Sequence, residues 1–209
     1  MKFLLVCFIL FSFSGCNNLK QKPVDENQQQ VEIRDSNILK RQQPNPYAAV
    51  DVSPMDIAYS PADYPILKMS GKTSDLPVAR IIYSRPHRQG RVIFGGLLKY
   101  GEPWRLGANE ATEIEFFKPV TILGNRVQAG RYILYCIPHQ KSWTIIFNSN
   151  LYSWGLRNDG SKDLFKFEIP VSSTPVILEY FTMVFKETSA GADLIIAWEN
   201  VEARIPIQF

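Results

Sequence analysis

Cysteine and histidine are scarce in this sequence, which has three of the first and two of the second among 209 residues. Neither His87 nor His139 has neighbours of the right type and spacing for a zinc site. We therefore expect no metal centre, and nothing in the sequence indicates a cofactor.

An excess of charge of one sign is also lacking. The chain has 23 Lys and Arg residues against 20 Asp and Glu residues, a net charge of +3. A balance this even argues against a nucleic-acid partner. Hydrophobic residues make up 45% of the chain and charged residues 21%, which is typical of a globular protein rather than a disordered one.

Helical periodicity is missing too, since no long window combines an apolar period of 3.6 residues with capping residues. Short β-like runs separated by turn residues are present instead. In the last run, Val201, Ala203, Ile205 and Ile207 would share one face of a half-buried strand. We expect residues 50–209 to form an all-β domain, an antiparallel β-sandwich or jelly-roll-like barrel of about eight to ten strands. The runs are 77–84, 112–117, 119–138, 142–148, 164–171, 177–185, 192–199 and 201–208, with 119–138 predicted as consecutive hairpins broken at Gly124-Asn125 and Ala129-Gly130.

Residues 1–15, MKFLLVCFILFSFSG, contain one lysine, then an apolar run, then small residues before Cys16. This order is typical of a secretory signal peptide, and an apolar run of about ten residues is too short to span a bilayer of about 30 Å as a helix. The preceding residues resemble the lipobox of bacterial lipoproteins, with Phe13 where leucine is usual. The resemblance implies cleavage before Cys16 and its lipidation; an ordinary signal peptide is the alternative. Cys136 is then left without a disulfide partner and is predicted to be a small buried hydrophobe.

Residues 16–49 are rich in Gln, Asn, Lys and Asp and have almost no aromatic side chains. Such a segment cannot bury enough apolar surface to offset its chain entropy, so we expect a flexible tether. In bacteria with two membranes, a neutral residue such as Asn17 after the lipidated cysteine is typical of export to the outer membrane. We therefore expect an exported protein anchored in the membrane by the lipid on Cys16, on the periplasmic face of the outer membrane.

The strand-like pattern stops between residues 85 and 111, RPHRQGRVIFGGLLKYGEPWRLGANEA, a stretch with four arginines and two prolines. A long irregular segment inside a compact domain is usually functional or covers the core. The stretch IYSRP…GRVIFGGLLKYGEPWRLGANEATEIEF, followed by AGRYILYCIP, WTIIFN and LIIAWENVEARIPI, resembles the family called domain of unknown function 2911. The resemblance runs from roughly residue 53 to residue 207 and implies a secreted or lipid-anchored protein similar to those of Bacteroidota. It implies no activity and no catalytic residue.

Five residues in this stretch are predicted to bind a ligand: Arg85, Trp104, Arg105, Asn109 and Glu110. Arg105 would fork onto a carboxylate, a phosphate or a sugar hydroxyl, with Asn109 and Glu110 completing a polar pocket and Gly107 supplying a positive φ. In the alternative, Arg105 pairs with Glu110 or with backbone carbonyls and holds the loop against the sheet.

The other arginines of the stretch and His87 have functional and structural interpretations as well. Arg85, Arg88 and Arg91 would extend an anion-binding patch; alternatively, Arg85 packs beside a tryptophan and Arg88 is solvated. His87 would act as a general base if Glu102 or Glu110 orients its imidazole. No Gly-x-Ser-x-Gly motif accompanies it.

The four tryptophans suggest a carbohydrate ligand, because flat aromatic faces stack on sugars and jelly rolls often host lectins. Trp104 and Trp154 lie in loop-like segments and are the candidate platforms, although a tryptophan beside glycine in a β domain commonly closes the edge of the core. Trp143 and Trp198 lie within strands and are predicted to be core residues.

The sequence favours a non-catalytic binding module for a small polar or anionic ligand or a cell-envelope glycan. A hydrolase with Glu110 or His87 as general base, acting on an envelope substrate, is the first alternative, and a purely structural lipoprotein is the second. The oligomeric state is open.

Overall fold

The computed structural model describes Tyr47 and residues 51–209. Residues from Asp51 to Phe209 form one compact unit. The signal peptide, Cys16 and the tether apart from Tyr47 lie outside the described residues, so the predictions about them stay predictions. In the described part of the chain, no helix has the length and apolar character needed to cross a membrane.

Antiparallel strands make up most of the described unit, which confirms the predicted all-β fold. All nine strands of residues 51–209 join in the order β1-β2-β3-β6-β7-β8-β9-β4-β5. Their bounds are β1 Met55–Ser60, β2 Ala79–Ser84, β3 Thr112–Phe116, β4 Val120–Ile122, β5 Asn125–Val127, β6 Gly130–Pro138, β7 Ser142–Asn148, β8 Asp163–Thr188 and β9 Gly191–Gln208; a short helix, α1 (Tyr64–Met69), follows β1, and a 3₁₀ turn, Gly160–Lys162, precedes β8.

The predicted hairpin at Gly124-Asn125 is confirmed, but the second one is wrong. Leu123 and Gly124 turn the chain between β4 and β5 with φ values of 45° and 78°, as a tight hairpin turn requires. After β5 the chain crosses to the other half of the sheet, where β6 pairs with β3 and β7. Gly130 therefore begins a crossover strand rather than a hairpin partner.

Two long strands, β8 and β9, each unite two of the predicted runs. The first half of β8 pairs with β7 and the second half with β9, and the register of the β8–β9 pair shifts between Ser173 and Thr182. The second half of β8 packs across the face of β2, where the ring of Tyr83 meets that of Phe181 edge to face at 5.7 Å. The two halves of β8 thus join two parts of the sheet that enclose one core.

The bend in β9 lies at Glu199, whose φ is +54°. The core positions change there from even to odd numbers, and the register with β8 shifts on both sides of the pair that Glu199 makes with Leu178. An extended strand of this length would span about 60 Å, yet the Phe209 N–H donates to the Ala190 carbonyl at 3.2 Å. The two ends of β9 therefore meet. The residues of β9 in the hydrophobic core are Ala192, Leu194, Ile196 and Trp198 before the bend and Ala203, Ile205 and Ile207 after it.

The core contains the residues that the strand patterns assign to it. Trp143 and Trp198 are 0% and 1% exposed, which confirms them as core residues. Cys136 is also fully buried, and burial raises the pKa of its thiol well above the usual value. Cys136 is therefore a small core hydrophobe, as predicted.

Candidate functional site

The loop between β2 and β3, residues 85–111, is irregular as predicted, and the bent strands hold it in place. The Glu199 carboxylate at the bend of β9 accepts hydrogen bonds from Arg88 Nε at 3.3 Å and from the Ile93 N–H at 3.2 Å. In β8, the Glu179 carbonyl accepts the Arg88 N–H at 2.7 Å. Arg88 is thus a structural anchor rather than a solvated side chain.

Trp104 fastens the other end of the loop to the sheet. Its N–H and carbonyl exchange hydrogen bonds with Cys136 of β6 at 2.7 and 2.8 Å, and its Nε1–H donates to the Gly107 carbonyl at 3.1 Å. The side chain is 6% exposed and closes the edge of the core, so it offers no open ring face for stacking. Trp154 is 55% exposed, and the stacking prediction stays open for that residue. The rings within 5.0–6.1 Å of Trp104 are those of Phe94, Trp143, Phe181 and Trp198.

A compressed turn follows Trp104. Leu106 has a φ of +54° although it is fully buried, and its carbonyl accepts a hydrogen bond from Thr112 Oγ1 at 2.6 Å. Gly107 has a φ of +154°, so the predicted positive φ is confirmed, and a Cβ there would lie 3.0 Å from the Ser84 carbonyl oxygen. The turn fixes the backbone from which Arg105 extends.

Arg105 is half-buried and reaches across to a neighbouring loop. Its Nη1 donates to the Trp154 carbonyl at 3.4 Å. Burial lowers the pKa of Arg105 and the charge of Glu110 raises it, with a net decrease. Arg105 therefore contacts a backbone carbonyl, as the structural alternative expects, but through one long hydrogen bond.

Asn109 and Glu110 follow the turn in sequence, and neither lines the cavity to which Arg105 contributes. The Asn109 amide donates to Asp51 Oδ2 at 3.0 Å and to the Ser53 carbonyl at 3.2 Å, which holds the segment before β1. Glu110 is exposed. Direct binding of a ligand by Asn109 or Glu110 therefore stays a prediction.

A cavity of about 410 Å³ opens between the 85–111 loop, the segment before β1 and the loop after β7. His87, Arg91 and Arg105 contribute its positive or titratable side chains. No Asp or Glu is among the described residues that line it. The apolar lining consists of Val52, Pro86, Leu97, Leu98, Pro103, Trp104, Ala108, Leu156 and Trp198, and the remaining lining residues are Ser53, Gln89, Gly107 and Gly155.

His87 has a carboxylate partner, but not one of the two predicted. Its Nε2 lies 3.0 Å from Glu179 Oε1, and its ring stacks on Tyr180 with the centroids 4.5 Å apart. Glu179 therefore replaces Glu102 and Glu110 as the residue that orients the imidazole. The pair has the arrangement of a general base with its orienting carboxylate.

Arg85 is not among the residues that line the cavity. It pairs with Asp56 at 3.3 Å, donates to the Phe181 carbonyl at 3.3 Å, and its guanidinium lies 5.8 Å from the centre of the Tyr180 ring. The predicted aromatic neighbour is thus a tyrosine rather than a tryptophan. The contacts of Arg85 hold β1, β2 and β8 together.

Sequence patterns miss Glu179 and Glu199, because each lies within an apolar run that is typical of a plain strand. Leu156 of the loop after β7 and Ser53 before β1 are missed as well, and no local signal marks either of them. Among the described residues, no cluster of three His, Cys, Asp or Glu side chains could hold a metal ion.

A family model described as "Protein of unknown function (DUF2911)" matches residues 66–207. No curated protein and no solved structure matches the chain. The matched range includes every residue that lines the cavity except Val52 and Ser53.

Proposed function

We propose that this protein binds a small organic anion in its cavity without catalysing a reaction of that anion. The chain belongs to the DUF2911 family of proteins of unknown function, so the support for this proposal comes from the cavity. A cavity of about 410 Å³ is large enough for a small molecule, since ligand pockets typically measure about 300–1,000 Å³. The charge of its lining is the observation that carries the proposal.

Both arginines of the lining donate hydrogen bonds to backbone carbonyls, and the carboxylate of Glu110 acts on Arg105 only through its charge. Arg105 donates to the Trp154 carbonyl, and Arg91 donates to the carbonyls of His87 and Arg88. Backbone carbonyls do not neutralise a guanidinium, so an anionic ligand gains charge-assisted hydrogen bonds there. Hydrolysis by His87 is the second candidate, supported by the Glu179 contact. Binding has the stronger support, because two lining side chains are guanidiniums that would bind an anion, whereas hydrolysis would rest on His87 alone.

Arg105→Gln is expected to weaken binding of benzoate by about 10- to 100-fold, since hydrogen bonds to charged groups contribute about 1.5–3 kcal/mol. The purified protein is titrated with benzoate while tryptophan fluorescence is recorded, because Trp104 and Trp198 line the cavity. We expect the melting temperature to change by less than about 2 °C, since Arg105 makes a single long hydrogen bond.

Arg126→Gln is the matched control, because it removes one positive charge from an exposed position outside the cavity. Benzyl alcohol and benzylamine test the charge of the ligand at a similar shape. Equal binding of all three compounds contradicts the proposal, and binding of neutral saccharides alone points to the glycan predicted from the sequence. A fall in melting temperature of roughly 10 °C in Arg105→Gln would show that Arg105 is a structural clasp.

We further propose that the protein is exported and anchored by a lipid on Cys16, as the layout of residues 1–16 supports. Mass spectrometry of the protein from its native membrane is expected to find an N-terminal acylated Cys16. An unmodified N-terminus at another position would contradict this placement. The periplasmic face of the outer membrane is the location that Asn17 favours.

A further inference from the structure

The cavity carries exposed apolar side chains around its opening. Leu97, Leu156 and Val52 line it and are 48%, 71% and 67% exposed. Two further apolar residues are exposed near lining residues: Val92, which follows Arg91 in sequence, is 62% exposed, and Trp154, whose carbonyl lies 3.4 Å from Arg105 Nη1, is 55% exposed. An apolar surface around a cavity commonly marks a binding site.

The deeper walls are apolar as well. Trp104 and Trp198 are 6% and 1% exposed, and both line the cavity. Leu98 packs against the core and also lines it. A compact anion such as phosphate would engage the arginines but would leave these walls and the opening in contact with water.

We propose that the ligand is an amphiphilic anion, a carboxylate or phosphate head group attached to a linear acyl or alkyl chain. The inference rests on the proposed anion-binding function and adds the apolar part of the ligand. The head group binds at Arg91 and Arg105, and the chain lies against the apolar walls and leaves past Leu97 and Leu156. Positive charge and apolar surface in one lining complement the two parts of such a molecule.

Chain length provides the test. The purified protein is titrated with butyrate, hexanoate, octanoate and decanoate below their micelle concentrations, with tryptophan fluorescence as the readout. Burial of one methylene contributes enough to increase affinity about fourfold, so affinity should rise by about that factor per methylene until the chain extends beyond the apolar surface. Equal affinity along the series overturns the amphiphile while anion binding stands. Failure of benzoate and of every carboxylate overturns the anion proposal itself.

Leu156→Ser locates the chain. We expect it to weaken decanoate binding by about tenfold and to leave butyrate binding unchanged. Leu76→Ser is the control, because Leu76 is 68% exposed against 71% for Leu156 and does not line the cavity. Equal effects of the two variants on decanoate would overturn the proposed path of the chain.

Two sources offer this chemistry, a free amphiphile and an anionic lipid within a membrane. Co-sedimentation with phosphatidylglycerol vesicles, using residues 16–209 with Cys16→Ser so that neither the signal peptide nor a lipid anchor contributes, separates them. Co-sedimentation that free decanoate reverses assigns the ligand to the membrane. Decanoate binding without co-sedimentation assigns it to a free amphiphile, and the absence of both overturns the inference.

Discussion

Replacement of Trp104 with alanine is expected to lower the free energy of unfolding by about 3–5 kcal/mol and the melting temperature by roughly 6–20 °C. The indole is 6% exposed and contacts four other aromatic rings. Its removal leaves a void in the core and an unpaired Gly107 carbonyl, which accepts the Nε1–H in the native protein. Thermal and urea unfolding of the purified variants measure the loss.

Trp154→Ala is the matched control, because Trp154 is 55% exposed. We expect its stability to stay within about 0.5 kcal/mol of the native value. Trp104→Phe should recover part of the loss, since it keeps an aromatic ring in the core but loses the hydrogen bond. A Trp104→Ala variant as stable as Trp154→Ala would show that the indole is a ligand-facing platform after all.

Two adjacent residues of the loop have different roles. Trp104 stabilises the fold, and Arg105 supplies positive charge to the cavity. Both residues line the cavity, but Trp104 pairs with Cys136 and is 6% exposed, whereas Arg105 is half-buried. The positive φ of the buried Leu106 is a strained conformation that the surrounding contacts impose. Strain of this kind clusters at functional sites, and here it lies one residue after Arg105.

Alternation of apolar residues predicts most of the strands, because each half-buried strand has a period of two. The edge strand β1 escapes this rule, since its apolar residues Met55 and Ile57 are 46% and 47% exposed. Runs 192–199 and 201–208 are predicted correctly as strand, but their union in β9 depends on the positive φ of Glu199 between them. The local sequence pattern shows that the apolar positions change from even to odd numbers. It does not show whether the chain turns there or continues as one strand.

The candidate site is predictable only in its central loop. Trp104, Arg105 and His87 come from the irregular stretch that glycines and prolines mark, and all three line the cavity. Glu179 reaches His87 because β8 shifts register beside it, and Glu199 reaches Arg88 because β9 bends there. Contacts across some 90–110 residues of chain depend on tertiary register, which no short window of sequence records.

Gly191→Ala is expected to cost about 3 kcal/mol or more and to lower the melting temperature by roughly 6–12 °C. Gly191 begins β9 with a φ of +151°, and a Cβ there would lie 2.1 Å from the Ile207 carbonyl oxygen. The atoms nearest to the added Cβ belong to the backbone of Ile207 and Gln208, so no side chain can move aside to make room. Gly124→Ala is the control: its φ is +78° with nothing within 4 Å of the added Cβ, so it should cost only about 1–2 kcal/mol. Equal losses of unfolding free energy in the two variants would mean that backbone conformation alone matters and that the ends of β9 do not meet.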